Sequence, residues 1–262
     1  MRRPILVLCV LAAACALTGS AGAITGGSYD GNAHPYVGVS SNGSTLCSGS
    51  LVSPRVYVTA AHCFAGVASS YGTSADGHPV IKATFDPRGS TVPSSERVNV
   101  FGTFYADPQF CNGCGGGTPG FMSHDIAVVV FNAPVAAARY ASLPKQGLVE
   151  ALGQHAALDL VGYGVQSFAT GGQPQVTAVG SRYAAAGELG NAGSALSDSF
   201  VKLASTKGGV CSGDSGGPDL LAGSDTILAI NSFGMNERCD GVAYSYRLDT
   251  AAALGFVKSF VR

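Results

Sequence analysis

Charge is scarce in this chain. Only 12% of its 262 residues are Asp, Glu, Lys or Arg, and the formal net charge is -1. A balance so sparse and so near neutral leaves no basic footprint for nucleic acid or for an anionic membrane surface. Long apolar runs are also missing. Beyond the first residues no stretch reaches the length that spans a bilayer, so no membrane span is expected in the mature chain. Tryptophan is absent, whereas glycine is abundant at 37 residues. High glycine between short apolar runs favours a turn-rich β protein over a helical one.

The N-terminus reads as an export signal, 1–23. Arg2 and Arg3 supply positive charge, Ile5 to Leu17 is apolar, and Ala21-Gly22-Ala23 fits a small-x-small cleavage site. A membrane anchor is the alternative, but the run is short for one. Ala12-Ala13-Ala14-Cys15 is a weaker, lipoprotein-like site without the usual leading Leu. Of eight cysteines, Cys9 and Cys15 leave with the signal. Six remain, Cys47, Cys63, Cys111, Cys114, Cys211 and Cys239. An even number in an exported chain suggests disulfides, although spacing alone cannot pair them.

From Ile24 onward the pattern is a series of short β-type runs. Tyr36–Val39, Leu46–Val52, Val56–Thr59, Val80–Phe85, Arg97–Tyr105 and Ala127–Phe131 form one set. Leu158–Gly164, Thr177–Tyr183, Phe200–Leu203, Thr226–Asn231 and Ala243–Leu248 form another. Between them 132–154 lacks alternation and carries Pro134 and Pro144, as a link between two β units would. After Asp249-Thr250 the period changes. Ala253, Val257, Phe260 and Val261 share a helical face, which predicts a short helix packed on the second unit. The glycine-richest stretch, 113–120, reads as a surface loop.

Three strings carry chemistry. They are Thr59-Ala60-Ala61-His62-Cys63, Asp125-Ile126-Ala127-Val128 and Gly213-Asp214-Ser215-Gly216-Gly217-Pro218. A serine hydroxyl attacks a carbonyl at neutral pH only with a base beside it and donors aimed at the oxyanion that forms. Gly213 and Ser215 can present backbone N–H groups from a tight turn. A lone histidine or a lone aspartate is usually structural, but the order His, Asp, Ser is one known chain order of a catalytic triad.

On these strings the chain resembles the trypsin/chymotrypsin-like serine proteases, with lesser echoes in Cys47–Val52, Gly162-Tyr163-Gly164 and Ser232-Phe233-Gly234. The resemblance covers essentially all of 24–262. It implies an all-β, chymotrypsin-like fold: two antiparallel six-stranded β-barrels, about 24–140 and about 141–250, and a C-terminal helix at about 251–262. It implies a secreted serine endopeptidase working through an acyl-enzyme, with Ser215 as nucleophile, His62 as base, Asp125 orienting His62, and Gly213 and Ser215 as oxyanion donors. Ser232 would lie beside Asp125. The family pattern pairs Cys47 with Cys63 and Cys211 with Cys239. Cys111 and Cys114 have no family counterpart. A local disulfide is preferred there over a redox motif or zinc, for which only His124 lies near as a further ligand. The segment from His62 to Asp125 is also longer than is usual.

Ile24 resembles the mature N-terminus of this family, whose freed amino group pairs with the aspartate before the nucleophile, here Asp214. Ala23 directly precedes it, so removal of the signal would itself generate that end. Gly209 stands at the expected base of the specificity pocket, with Val210, Ser232, Gly234 and Gly241 around it. No acidic residue is at that base, which implies a preference for large apolar side chains. No cofactor and no metal are expected. The partners implied are protein or peptide substrates and proteinaceous inhibitors, acting on a monomer, with no nucleic acid and no membrane after signal removal. Two other functions compete. A catalytically dead, binding-only relative usually loses a triad member, and none is lost here. An esterase would match Gly213-Asp214-Ser215-Gly216-Gly217, but it places Ser before His in the chain.

Overall fold

The computed structural model describes residues 24–114, 122–168, 176–190, 198–205, 209–235, 239 and 241–261. The expected signal, 1–23, and most of the glycine-rich stretch at 113–120 lie outside the described residues. Among the described residues no helix is long and apolar enough to cross a membrane.

Six strands close into a first antiparallel barrel: β2 (Val37–Ser41), β3 (Leu46–Leu51), β4 (Val56–Thr59), β9 (Ala127–Phe131), β6 (Val100–Ala106) and β5 (Val80–Thr84), in that order around the ring. Valine-rich runs such as Val-Tyr-Val-Thr in β4 and Ala-Val-Val-Val-Phe in β9 suit such strands, because branched side chains pack well on a pleated surface. β10 (Ala157–Gly162), β15 (Pro218–Leu221), β16 (Ile227–Gly234), β17 (Gly241–Arg247), β14 (Phe200–Ser205) and β13 (Tyr183–Leu189) form the second. Pairing of Leu189 with Leu203 closes that ring. Closure leaves neither barrel with the open edges that invite aggregation. Two small hairpins, β7 (Cys111–Asn112) with β8 (Met122–Ser123) and β11 (Val165–Phe168) with β12 (Val176–Val179), project from the barrels.

Three details depart from the expected pattern. β1 (Ser28–Tyr29) pairs with β13, so this segment lies on the second barrel although it precedes the first in the chain. The run expected at 177–183 is divided, with β12 ending at Val179 and Tyr183 opening β13, whose alanine-rich sequence lacks a β signature. β15 was hidden by its opening proline, which is compatible with a strand only at its first position.

The link between the barrels carries a single helical turn and a half, α1 (Leu148–Leu152). The C-terminal helix, α2 (Ala251–Lys258), is capped by Thr250, whose hydroxyl accepts the Ala253 N–H at 3.2 Å. It packs on the second unit, as expected, and reaches the first as well. Ala253 and Val257 enter the larger hydrophobic core with β4 and β9 residues, and the Phe260 ring meets Tyr105 of β6 with centroids 5.3 Å apart. The helix thus bridges the barrels.

Candidate active site

Strand pairing brings two of the three strings together. β4 pairs with β9 so that Thr59 faces Ala127. His62 follows Thr59 by three residues in a 3-10 turn (Ala61–Cys63), and Asp125 precedes Ala127 by two. The Asp125 carboxylate is fully buried and accepts the backbone N–H of His62 at 2.9 Å. Its second oxygen lies 2.7 Å from His62 Nδ1 and also accepts the Ser232 hydroxyl. Buried carboxylates need such partners, since unpaired burial of a charge is costly. The turn is braced by the disulfide between Cys63 and Cys47 of β3.

The third string lies in the crevice between the barrels. The carbonyl of Ser215 accepts the Ser48 N–H of β3 at 2.8 Å and sits 3.9 Å from Cys63 Sγ. Residue 215 is therefore clamped against the residue that follows His62. Gly216 has φ +80°, and an added Cβ would collide with Thr59 Oγ1 and come within 2.8 Å of Ala60 N. Only glycine permits that approach. The N–H groups of Asp214, Gly216 and Gly217 all have carbonyl acceptors. Among the described residues the N–H groups of Gly213 and Ser215 have none, which leaves a pair of donors at the turn.

Asp214 points away from that pair, into the second barrel. It accepts the N–H groups of Gly164 (2.8 Å), Cys211 (2.9 Å) and Ile24. Burial pushes its pKa up to about 7, against the pull of those three bonds. Gly164 exists for this contact, since a Cβ there would lie 2.6 Å from the Asp214 carboxyl carbon. Ile24 is fully buried with φ +52°, a left-handed torsion that is rare for a β-branched residue.

Beside Ser215 opens a cavity of about 370 Å³. Val210, Ser232 and Gly234 line it as the sequence implied, and so does the Cys211–Cys239 disulfide. Gly209 is not among its described lining residues. Gly209 is held by Thr25, whose hydroxyl accepts its N–H at 2.9 Å, and Gly241 pairs with Ser205 at the start of β17. Sequence reasoning missed Ser212, Asn231, Phe233 and Met235 in the lining. The Phe233 ring stacks on Tyr244 at 5.2 Å. Alternation along β16 signals which of its residues point inward but not that one of them meets a cavity. The remaining pair, Cys111 and Cys114, forms a disulfide at the β7–β8 hairpin. His62, Cys47 and Cys63 cluster tightly, but both sulfurs are committed to a disulfide and are not available as ligands.

Behind Asn231 lies a second buried acid. Asp219 of β15 is fully buried and neither of its oxygens has a hydrogen-bond partner; the nearby Ser245 hydroxyl donates instead to Asn231 Oδ1 at 3.2 Å. Burial pushes the Asp219 pKa up to about 7, with Ser245 pulling weakly the other way. A carboxyl whose pKa is raised on folding holds more protons in the native state. Its stability contribution is full below the unfolded value and is lost as pH rises through the folded one. In a Ser215→Ala background, which prevents autolysis, Tm is expected to decline between about pH 4 and pH 7, with Asp214 contributing to the same decline. With Asp219→Asn added, the decline should flatten and Tm at pH 8 should rise by several degrees. Parallel profiles would rule out the buried neutral acid.

Two closed antiparallel barrels with a His–Asp pair and a serine turn meeting between them define the chymotrypsin class of serine hydrolases. The family comparison makes this specific. The model of the Trypsin family matches residues 23–251, and the chain belongs to that family of serine endopeptidases. It is 28% identical over 273 residues to trypsin beta of Drosophila erecta, covering 97% of each chain. A solved structure, HL collagenase at 1.7 Å resolution, superposes with a TM-score of 0.66 at 15% identity over 92% of this chain and 97% of that one. At that identity the likeness speaks for the fold alone.

Proposed function

We propose that the chain is an exported endopeptidase that cuts proteins or peptides through an acyl-enzyme on Ser215. The observation that carries this reading is the buried Asp125–His62 pair beside a turn with two free N–H donors. Asp125 accepts a hydrogen bond from His62 Nδ1–H, which fixes the tautomer and leaves Nε2 to receive the Ser215 proton as Oγ attacks the scissile carbonyl. The protonated imidazole then hands that proton to the departing amine, and water repeats the sequence to release the acid. Gly213 and Ser215 N–H groups hold the oxyanion. Ser232 holds the Asp125 oxygen that faces His62.

The activating end is Ile24. Signal removal after Ala23 frees its amino group beside Asp214, where the charge pair replaces the costly lone carboxylate. The cavity beside Ser215 takes the side chain before the cut. Val210 and Phe233 give it apolar walls, and no acid is among its described lining residues, so large apolar side chains suit it best. The enzyme acts outside the cell as a monomer, and proteinaceous inhibitors would occupy the same cleft.

The test combines a label with a substrate panel. A serine-directed phosphonate is expected to attach once per molecule, at Ser215, and to abolish cleavage. Among peptides differing only at the residue before the cut, Phe, Tyr or Leu should be cut at least about tenfold faster than Arg or Lys, the scale on which pockets discriminate. Labelling elsewhere, or fastest cleavage after Arg or Lys, would overturn the corresponding half.

A further inference from the structure

Arg182 is buried without trace of solvent and makes bonds to four segments that are distant in sequence. Its Nε donates to Asp30 Oδ2 at 2.8 Å and its Nη2 to the Gly31 carbonyl at 2.5 Å. Nη1 reaches the carbonyls of Val37 (2.7 Å) and Phe85 (3.2 Å) on the first barrel and the Tyr163 hydroxyl (3.2 Å) on the second. Asp30 is held from its other side by His34, whose ring Nδ1 lies 2.6 Å from Oδ1 and whose backbone N–H donates to Oδ2 at 3.1 Å. Burial alone would raise the Asp30 pKa, but His34 and Arg182 outweigh it and hold it below the usual carboxylate value. The Asp30 carboxylate therefore stays charged at neutral pH.

None of these groups touches the cavity or the triad. What they do touch is the root of the segment that ends at Ile24. From Asp30 the chain runs back through β1, paired with β13, to Thr25, which exchanges bonds with Gly209, and to Ile24 at Asp214. The segment is thus pinned at its tip and at its root, and the root pin is an ion pair.

We propose that Arg182 is a positioning residue for catalysis: through Asp30 it anchors the N-terminal segment and so keeps the Ile24 amino group seated against Asp214. This rests on the activation pair set out under Proposed function. The physical basis is tether length. With Asp30 held, the amino group searches from a short tether. Without that pin the anchors left nearer the tip are the two-residue pairing of β1 with β13 and the Thr25–Gly209 bonds, and so short a pairing frays from its freed root, which lowers the local concentration of the amine several-fold. Loss of the orientation the pin imposes adds to this.

A seated amine keeps its proton to higher pH than a free one, because only the charged form pairs with Asp214. Activity therefore falls on the alkaline side as the amine deprotonates and leaves. Seating weakened by about threefold to tenfold moves that alkaline limb down by about half a unit to one unit. The variant to use is the double substitution Arg182→Met with Asp30→Asn, which leaves no unpaired buried charge. Arg182→Lys, which keeps a charge but loses the fork, is the second. In protein whose N-terminus is sequenced as Ile24, the kcat/KM–pH profile should show the limb shifted down in both variants, with kcat/KM near neutrality lowered less. Free Ile-Thr dipeptide at millimolar concentration should move the limb back. A fall in Tm with an unmoved limb would make Arg182 a structural strut and overturn the proposal. Asp214→Asn is the separate control: retained activity there would defeat the activation pair itself, whatever Arg182 does.

Discussion

Ser215→Ala should lower kcat/KM by on the order of 10⁵ to 10⁶ while leaving the fold and KM nearly unchanged. The structural work of residue 215 is done by its backbone. Its carbonyl takes the Ser48 N–H, and its own N–H stays free for the oxyanion, whatever the side chain. Alanine suits the same turn, and the flanking Gly216 that makes the close approach to Thr59 is untouched. What disappears is the bond-forming oxygen. A residual rate above that of water should survive, from the two N–H donors and substrate positioning alone. The measurement is kcat/KM on a peptide substrate, with Tm as the check on folding. A variant that keeps more than about one per cent of the wild-type rate would mean that another group is the nucleophile.

Asp125→Asn should cost about 10⁴ in kcat/KM near neutral pH. Three donors converge on this carboxylate: the His62 N–H, His62 Nδ1–H and the Ser232 hydroxyl. An ionised carboxylate accepts all three, whereas a carboxamide has one accepting oxygen and an NH₂ that must donate. If the NH₂ faces His62 Nδ1, the ring must move its proton to Nε2, the nitrogen needed as base towards Ser215. If it faces the His62 backbone N–H, two donors oppose each other in a fully buried site. Either way the orientation or the tautomer is lost. The check is kcat/KM together with imidazole ¹⁵N shifts, which report the tautomer directly. A variant within about tenfold of wild type would remove Asp125 from the catalytic role.

Much of this site was legible because each of its three strings is a local solution to a local problem. Gly213 to Pro218 encodes a turn that frees two N–H groups, and alternation in Val56–Thr59 and Ala127–Phe131 encodes the two strands that bring His62 and Asp125 together. The parts that escaped depend on distant partners. Nothing around Arg182 distinguishes it from a surface arginine, since its five acceptors come from residues 30, 31, 37, 85 and 163. Asp219 follows the serine motif as if it were a loop residue, yet strand β15 turns it into the barrel beside Ala229. Asn231 belongs to an ordinary β run, and only the opening beside Ser215 makes it a wall. The docking of α2 was half legible. Its apolar face was evident, but the reach of Phe260 to Tyr105 needs the positions of both barrels.

The left-handed torsion of Ile24 has a consequence for timing. A φ angle is defined by the carbonyl carbon of the residue before, and in a chain that begins at Ile24 there is no such carbon and no such angle. The steric penalty of about 1 to 2 kcal/mol for a left-handed residue therefore weighs only on the uncut chain. On the proposed activation, a cut after Ala23 would remove it in the same event that creates the positive charge. Even before electrostatics is counted, the socket at Asp214 is biased by torsion alone towards a newly made end, by a factor of about five to thirty. On that proposal an uncut chain would compete poorly for its own socket, so the turn at Ser215 would acquire its full order only after the cut.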